Sequence, residues 1–181
     1  MVKHMPHYDR IFEIMAELGI EKSVRKILDI GCSKGGFVEE LRARGYDAHG
    51  LEAAGRHLDP AKDYLHNKYI WEIPTYFTDN FDLMVASRVM SKESVEALFR
   101  FEMDKEKLGL MESLGIETFV ESTTRTNNQN ILEGANARLN LGGYLIAIET
   151  DNDAIYITPT QVQEAGLQVV RLQPQEMVLR K

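Results

Sequence analysis

The chain has a single cysteine, Cys32, in 181 residues. One thiol makes neither an internal disulfide nor a Cys-pair zinc motif, which fits a reducing compartment and gives the expectation of a cytoplasmic protein. Proline is scarce too, at five residues, and no stretch rich in proline, glycine or serine reads as an interdomain linker. No apolar run approaches the roughly 18–20 residues of a membrane span. The N-terminal segment from Met1 to Tyr8 lacks the apolar core of a signal peptide. Positive charge is in deficit, 21 Lys+Arg against 28 Asp+Glu, for a formal net charge of -7. Such a field repels polyanions and argues against nucleic acid and against an anionic membrane surface as partners. What is present is an ordinary globular composition, 44% hydrophobic and 27% charged. With no internal repeat, it predicts one domain over residues 1–181.

Hydrophobic periodicity orders the elements. Ile11, Ile14, Met15 and Leu18 predict an amphipathic helix over 9–18, stopped by Gly19. Lys26 to Ile30 is a short apolar run ending at glycines, the pattern of a parallel strand covered on both faces. A helix follows over 36–44, with Phe37 and Leu41 on one face, acids near its start, arginines near its end and Gly45 as cap. Asp47 to Glu52 then completes a right-handed βαβ unit.

A helix or loop over 57–67 and a third strand around Lys68 to Trp71 precede a clear buried strand over Asn80 to Ala86. Val95, Leu98, Phe99 and Met103 fit one helix, with Leu108, Met111 and Leu114 continuing it. Ile131, Leu132, Ala135 and Leu139 fit another, beyond the polar run Glu121 to Asn130. From Ser87 to Gly142 the chain is far longer than the dozen or so residues a crossover needs. Residues 91–140 are therefore expected to form a helical insertion, an acceptor cap over the site. Leu141-Gly-Gly143 reads as a turn into the strand Tyr144 to Glu149, and Thr158-Pro159 to Gly166 as a short helix. Residues 167–172 and 176–180 are joined too tightly for a crossover, so they pair antiparallel.

The segment Asp29-Ile-Gly31-Cys32-Ser33-Lys-Gly35-Gly36 carries the strongest functional signal. A buried strand stops at glycines that open a helix, where the backbone turns sharply, a ligand approaches closely and free amides favour a polar or anionic group. Glu52 ends the neighbouring strand, where a carboxylate accepts both hydroxyls of a ribose.

At these residues the chain resembles the class I S-adenosylmethionine-dependent methyltransferases. Asp29 to Gly35 is similar to the family's D/E-x-G-x-G-x-G loop, and Gly50-Leu-Glu52 to its ribose-binding acid. Phe81 to Ser87 is similar to its fourth strand, Leu141 to Ile146 to the turn into its fifth, and 165–180 to its terminal hairpin. The resemblance implies a doubly wound, seven-stranded mixed α/β sheet of order 3-2-1-4-5-7-6, with the last strand antiparallel and helices on both faces. It implies S-adenosyl-L-methionine as cofactor, S-adenosyl-L-homocysteine as product, and a small-molecule or protein methyl acceptor.

The cofactor contacts so implied are Asp29, Gly31, Cys32, Ser33 and Gly35 in the loop, Glu52 and Ala53 after the second strand, Ile70 and Trp71 after the third, and Ser87 after the fourth. Ser33 stands where the family has its middle glycine, a replacement the loop tolerates if Ser33 keeps φ negative. Trp71 has two readings, stacking on adenine or filling core. Arg88 also has two, pairing with an acceptor carboxylate or phosphate, and a surface or structural ion pair. Tyr8 is by analogy a lid over the cofactor, Cys32 a small buried filler, and His49 and His57 packing residues. His4 and His7 belong to a solvated terminus, with no metal site expected. A nicotinamide site would need glycine at 33. The sequence names no catalytic residue, and a non-catalytic cofactor-binding module acting as a partner subunit remains the alternative to an enzyme.

Overall fold

Strand residues alternate between two hydrophobic layers, and that alternation organises the fold. The computed structural model describes residues 6–53, 58–90, 116–149, 154–155 and 157–181. The described elements run, in chain order, α1 (Pro6–Glu17), β1 (Lys26–Ile30), α2 (Gly36–Ala43), β2 (Asp47–Leu51), β3 (Leu65–His66), a 3₁₀ turn (Ile70–Glu72), α3 (Ile73–Tyr76), β4 (Phe81–Ser87), α4 (Ile116–Arg138), β5 (Leu139–Ile148), α5 (Pro159–Glu164), β6 (Gln168–Gln173) and β7 (Glu176–Arg180). The seven strands form one sheet of order β3-β2-β1-β4-β5-β7-β6, as expected. β7 runs antiparallel to β5 and to β6, and β3, β2, β1, β4 and β5 are mutually parallel.

Leu28, Ile30, Met84, Leu145 and Met177 pack on one face with Ile73 of α3, Ile131, Leu132 and Ala135 of α4 and Val162 of α5. Ile27, Leu83, Val85, Ile146 and Val178 pack on the other with Ile11, Ile14 and Met15 of α1 and Phe37, Val38 and Leu41 of α2. A period of two within strands and helical spacing within helices yield these layers. α1 is also tied electrostatically. Arg10 Nε donates to Glu176 at 2.8 Å, and Glu17 accepts from both Arg10 and Arg171 at 2.7 Å.

Three expectations are corrected. The third strand is Leu65–His66 rather than Lys68 to Trp71. The Glu72 carboxylate accepts from the Tyr69 N–H at 2.8 Å and closes a 3₁₀ turn over 70–72, which takes these residues out of extended pairing. The polar run 121–130 is not a break between helices but lies inside the 23-residue α4. Its polarity is absorbed locally and tertiarily. Arg125 pairs with Glu121 at 2.7 Å, the Thr124 hydroxyl donates to the Val120 carbonyl, and Asn127 and Asn128 reach the chain after β4. Leu141-Gly-Gly143 is not a turn before β5 but an irregularity within it. Leu139 pairs with Phe81 and Tyr144 with Leu83, so the extra residues bulge there, with Gly142 at φ +83° and Leu141 exposed.

Of the expected insertion over 91–140, residues 116–138 are the crossover helix α4, whose later half packs in the core. Residues 91–115 and the helices expected there lie outside the described residues, as do His4, the side chain of His7, and His57.

Candidate functional site

Parallel strands place their carboxyl ends at one edge of the sheet, where ligands of such folds bind. Here that edge gathers the loop after β1, Glu52 after β2, residues 67–71 beyond β3, residues 88–90 after β4 and Glu149 after β5.

The loop turns through three left-handed residues, Gly31 at φ +76°, Ser33 at +51° and Gly35 at +81°. The condition of a negative φ at Ser33 is therefore not met. The loop needs the left-handed conformation at the middle position, and a serine holds it there at a cost of about 1–2 kcal/mol relative to glycine. Two bonds fix the turn. The Ser33 N–H donates to Glu52 Oε2 at 2.9 Å, and the Gly35 N–H to the Cys32 carbonyl at 2.8 Å. At Gly31 a Cβ would lie 2.3 Å from Val89 Cγ1, so the loop backbone and the segment after β4 touch where only a hydrogen fits.

Asp29 is buried next to this loop, and burial, with the Glu52 carboxylate second, pushes its acid up to about 8. At neutral pH it is largely protonated, able to donate one hydrogen bond and adding little negative charge beside Glu52. Cys32 is buried against Gly50, where an added Cβ would meet its Sγ at 2.6 Å. Burial first, then Asp29 and Glu52, drive its thiol pKa up, so it is packing rather than a nucleophile.

Glu52 and Ala53 leave β2 at the loop. The Glu52 N–H pairs with the His66 carbonyl at 3.0 Å, and the Asn67 side-chain amide, oriented by its surroundings, donates to the carbonyls of Glu52 and Ala53. Beyond β3, Ile70 packs partly buried against the core. Trp71 is 59% exposed and stacks on Tyr69 with centroids 4.4 Å apart and planes 7° from parallel. The core-filling reading of Trp71 is thus excluded. Ile70 and Trp71 thus put an apolar side chain and an exposed aromatic ring beyond β3, the strand paired with β2.

After β4 the Ser87 hydroxyl is enclosed and meets no partner among the described residues. The following chain is held by groups the sequence reading had not singled out. The Glu149 carboxylate accepts from the Met90 N–H at 2.6 Å, and the amides of Asn127 and Asn128 donate to the carbonyls of Val89 and Met90 at 2.8 and 3.0 Å. Glu149 ends β5 with an acid as Glu52 ends β2, a signal present in the sequence. Tyr8 stacks on Phe37 at 4.2 Å, half-buried. Burial first, then Asp29, push its phenol up to about 12, which places it in the field of the loop.

The groups gathered here, a strand-end carboxylate and a glycine loop, are of the chemistry that an adenosine-bearing ligand needs. A glycine loop whose Cβ positions are filled by neighbours lies beside a carboxylate suited to a diol, one strand from an aromatic face.

Neither a protein-family model nor a curated protein sequence matches the chain. Solved structures do. A SAM-dependent methyltransferase from Archaeoglobus fulgidus aligns at TM-score 0.56 and 12% identity, over 96% of this chain and 94% of the other. N-methyltransferase NodS from Bradyrhizobium japonicum, in complex with S-adenosyl-L-homocysteine, aligns at 0.53 and 16%, over 99% and 90%. An O-methyltransferase family protein from Burkholderia thailandensis aligns at 0.51 and 12% over 94% of this chain, which spans 54% of its length. The chain therefore has the Rossmann-like fold of class I methyltransferases.

Proposed function

We propose that this chain binds S-adenosyl-L-methionine and transfers its methyl group to a small-molecule or protein acceptor. The observation that carries the reading is the Ser33–Glu52 contact, which joins the glycine loop to the acid ending β2 within a sheet of methyltransferase order. When bound, the cofactor supplies a methyl group on a positively charged sulfur; an acceptor lone pair bonds to that carbon as the S–C pair stays on sulfur, and the acceptor's proton leaves to water.

The chain's part is binding, alignment and exclusion of water. Glu52 accepts the ribose hydroxyls, and the glycine loop, whose Gly31, Cys32 and Ser33 amides are taken up by Leu51 and Glu52, lets the cofactor approach its backbone closely. Ile70 and Trp71 flank the adenine. The neutral Asp29 limits repulsion beside Glu52, and Tyr8 on α1 covers the loop.

Turnover with methyl-labelled cofactor against pooled acceptors tests the enzyme. Label appearing in an acceptor, and lost in Glu52→Ala, supports it. Cofactor binding without transfer to any pool favours the non-catalytic partner subunit, and absence of cofactor binding overturns both.

A further inference from the structure

Arg88 has a left-handed backbone, φ +59°, which a non-glycine residue keeps only where its surroundings impose it. They do so here from two elements. The Arg88 N–H donates to the Ile148 carbonyl of β5 at 2.9 Å, Glu149 holds the Met90 N–H, and Asn127 and Asn128 of α4 hold the carbonyls of Val89 and Met90. The backbone is thus fixed on both sides of the residue. The guanidinium is exposed and, among the described residues, makes no ion pair or side-chain hydrogen bond. Among the described residues, the ion pair that the sequence left as the other reading of Arg88 is not formed.

Its neighbourhood is a ligand's rather than a packing site. Preceding it is Ser87, whose enclosed hydroxyl lacks a partner, and a buried polar atom left unmatched is unusual in a native fold. Following it is Val89, in contact with the glycine loop at Gly31. The half-buried Tyr8 phenol lies in the fields of both Asp29 and Arg88. Glu52 and Glu149 follow β2 and β5 at this edge, Lys34 lies in the loop after β1 and Lys68, paired with Glu72, lies beyond β3, so Arg88 adds a positive charge, unpaired among the described residues, to a rim of mixed sign.

We propose that Arg88 selects the acceptor: a small molecule bearing an oxyanion, carboxylate or phosphate, held by the Arg88 guanidinium. This rests on the methyltransferase reading. S-adenosyl-L-homocysteine carries the cofactor's own carboxylate, so an anion that binds Arg88 in its presence is the acceptor's. A planar guanidinium grips either oxyanion in two-point fashion.

The test uses the full chain, ¹⁵N-labelled and saturated with S-adenosyl-L-homocysteine, titrated with sodium phosphate and separately with sodium acetate at constant ionic strength. The Arg88 Nε–H resonance is identified by its loss in Arg88→Lys. A saturable shift of that resonance is expected with one anion, and the responding anion distinguishes phosphate from carboxylate. Affinity for that anion, followed on the backbone amides of residues 87–90, is expected to fall about 10- to 100-fold in Arg88→Asn, whose residue adopts left-handed φ readily and keeps the backbone. No saturable shift with either anion overturns the proposal. A shift seen only without S-adenosyl-L-homocysteine and abolished by it also overturns it, because Arg88 then serves the cofactor carboxylate. Failure of S-adenosyl-L-homocysteine itself to bind is read in a separate isotherm and overturns the methyltransferase reading, and the acceptor role with it.

Discussion

The backbone N–H of Ser33 donates to Oε2 of Glu52 across 2.9 Å, and this bond joins the loop after β1 to the end of β2. The same carboxylate acts electrostatically on buried Asp29, so one residue shapes both the loop and its acid.

The first prediction concerns pH. Asp29 stays protonated in the folded chain up to about 8, whereas in the unfolded chain it ionises near ~3.9. Between these values the folded state holds the extra proton, so this group's contribution is fully present at acid pH. It is lost as pH rises through the window, by up to ~1.4 kcal/mol per unit for a fully formed proton difference. Asp29→Asn, which mimics the neutral acid, is expected to remove that slope in denaturant unfolding measured across pH. An unchanged slope contradicts the assignment.

Gly31 and Val89 are expected to couple. Gly31→Ala meets both a positive φ and a 2.3 Å approach to Val89 Cγ1, so it should destabilise by ~2 kcal/mol or more. In a double-mutant cycle with Val89→Ala the steric part should be recovered and only the backbone cost should remain. Additive effects would show that the contact carries no energy.

The clamp after β4 should contribute to stability. Asn128 is buried and its amide donates to the Met90 carbonyl at 3.0 Å. Asn128→Ala is expected to cost ~1–3 kcal/mol in denaturant unfolding and to speed amide exchange at residues 88–90. Glu149→Gln, which keeps a carbonyl acceptor for the Met90 N–H, should cost less than Glu149→Ala.

How much of this was legible in the sequence follows from where each signal lies. β1 shows because four buried residues in succession end at glycines, and Glu52 shows because it closes a strand one crossover away. β3 did not show, since two paired residues are too few for a period, and the aromatic run 69–71 looked more strand-like than Leu65–His66. The helix through 121–130 was hidden because Asn127 and Asn128 serve the β4 loop rather than a helix face, and no local pattern announces a partner 38 positions away. Ser33 misled in the same way. Its φ is set by the turn that Gly31 and Gly35 impose, not by its own preference.

A histidine pair outside the site gives a further pH effect. His49 Nε2 lies 3.2 Å from the Asp47 carboxylate, His49 Nδ1 3.1 Å from His66 Nε2, and His66 Nδ1 3.1 Å from the Tyr76 hydroxyl. With both rings neutral one arrangement satisfies all three: Tyr76 donates to His66, His66 to His49, and His49 to Asp47. Burial lowers both pKa values; Asp47 favours charge on His49 while Lys26 and Arg42 oppose it, and His49 opposes charge on His66 while Asp63 favours it. The unfolded chain takes up protons near ~6.5 that the folded chain refuses, so this contribution is present above that pH and lost as pH falls below it. Thermal unfolding of His66→Gln, compared in the Asp29→Asn background to remove the opposing slope, should lose acid sensitivity below pH ~6.5. Equal sensitivity in both proteins would refute the relay.

The most direct test of the account is calorimetric titration of the chain with S-adenosyl-L-homocysteine, repeated on Glu52→Ala. The account predicts saturable binding that weakens by ~1–3 kcal/mol, about 10- to 100-fold, in the variant, as the loss of charge-assisted hydrogen bonds to a ribose requires. No binding to the folded chain, or binding indifferent to Glu52, would contradict it.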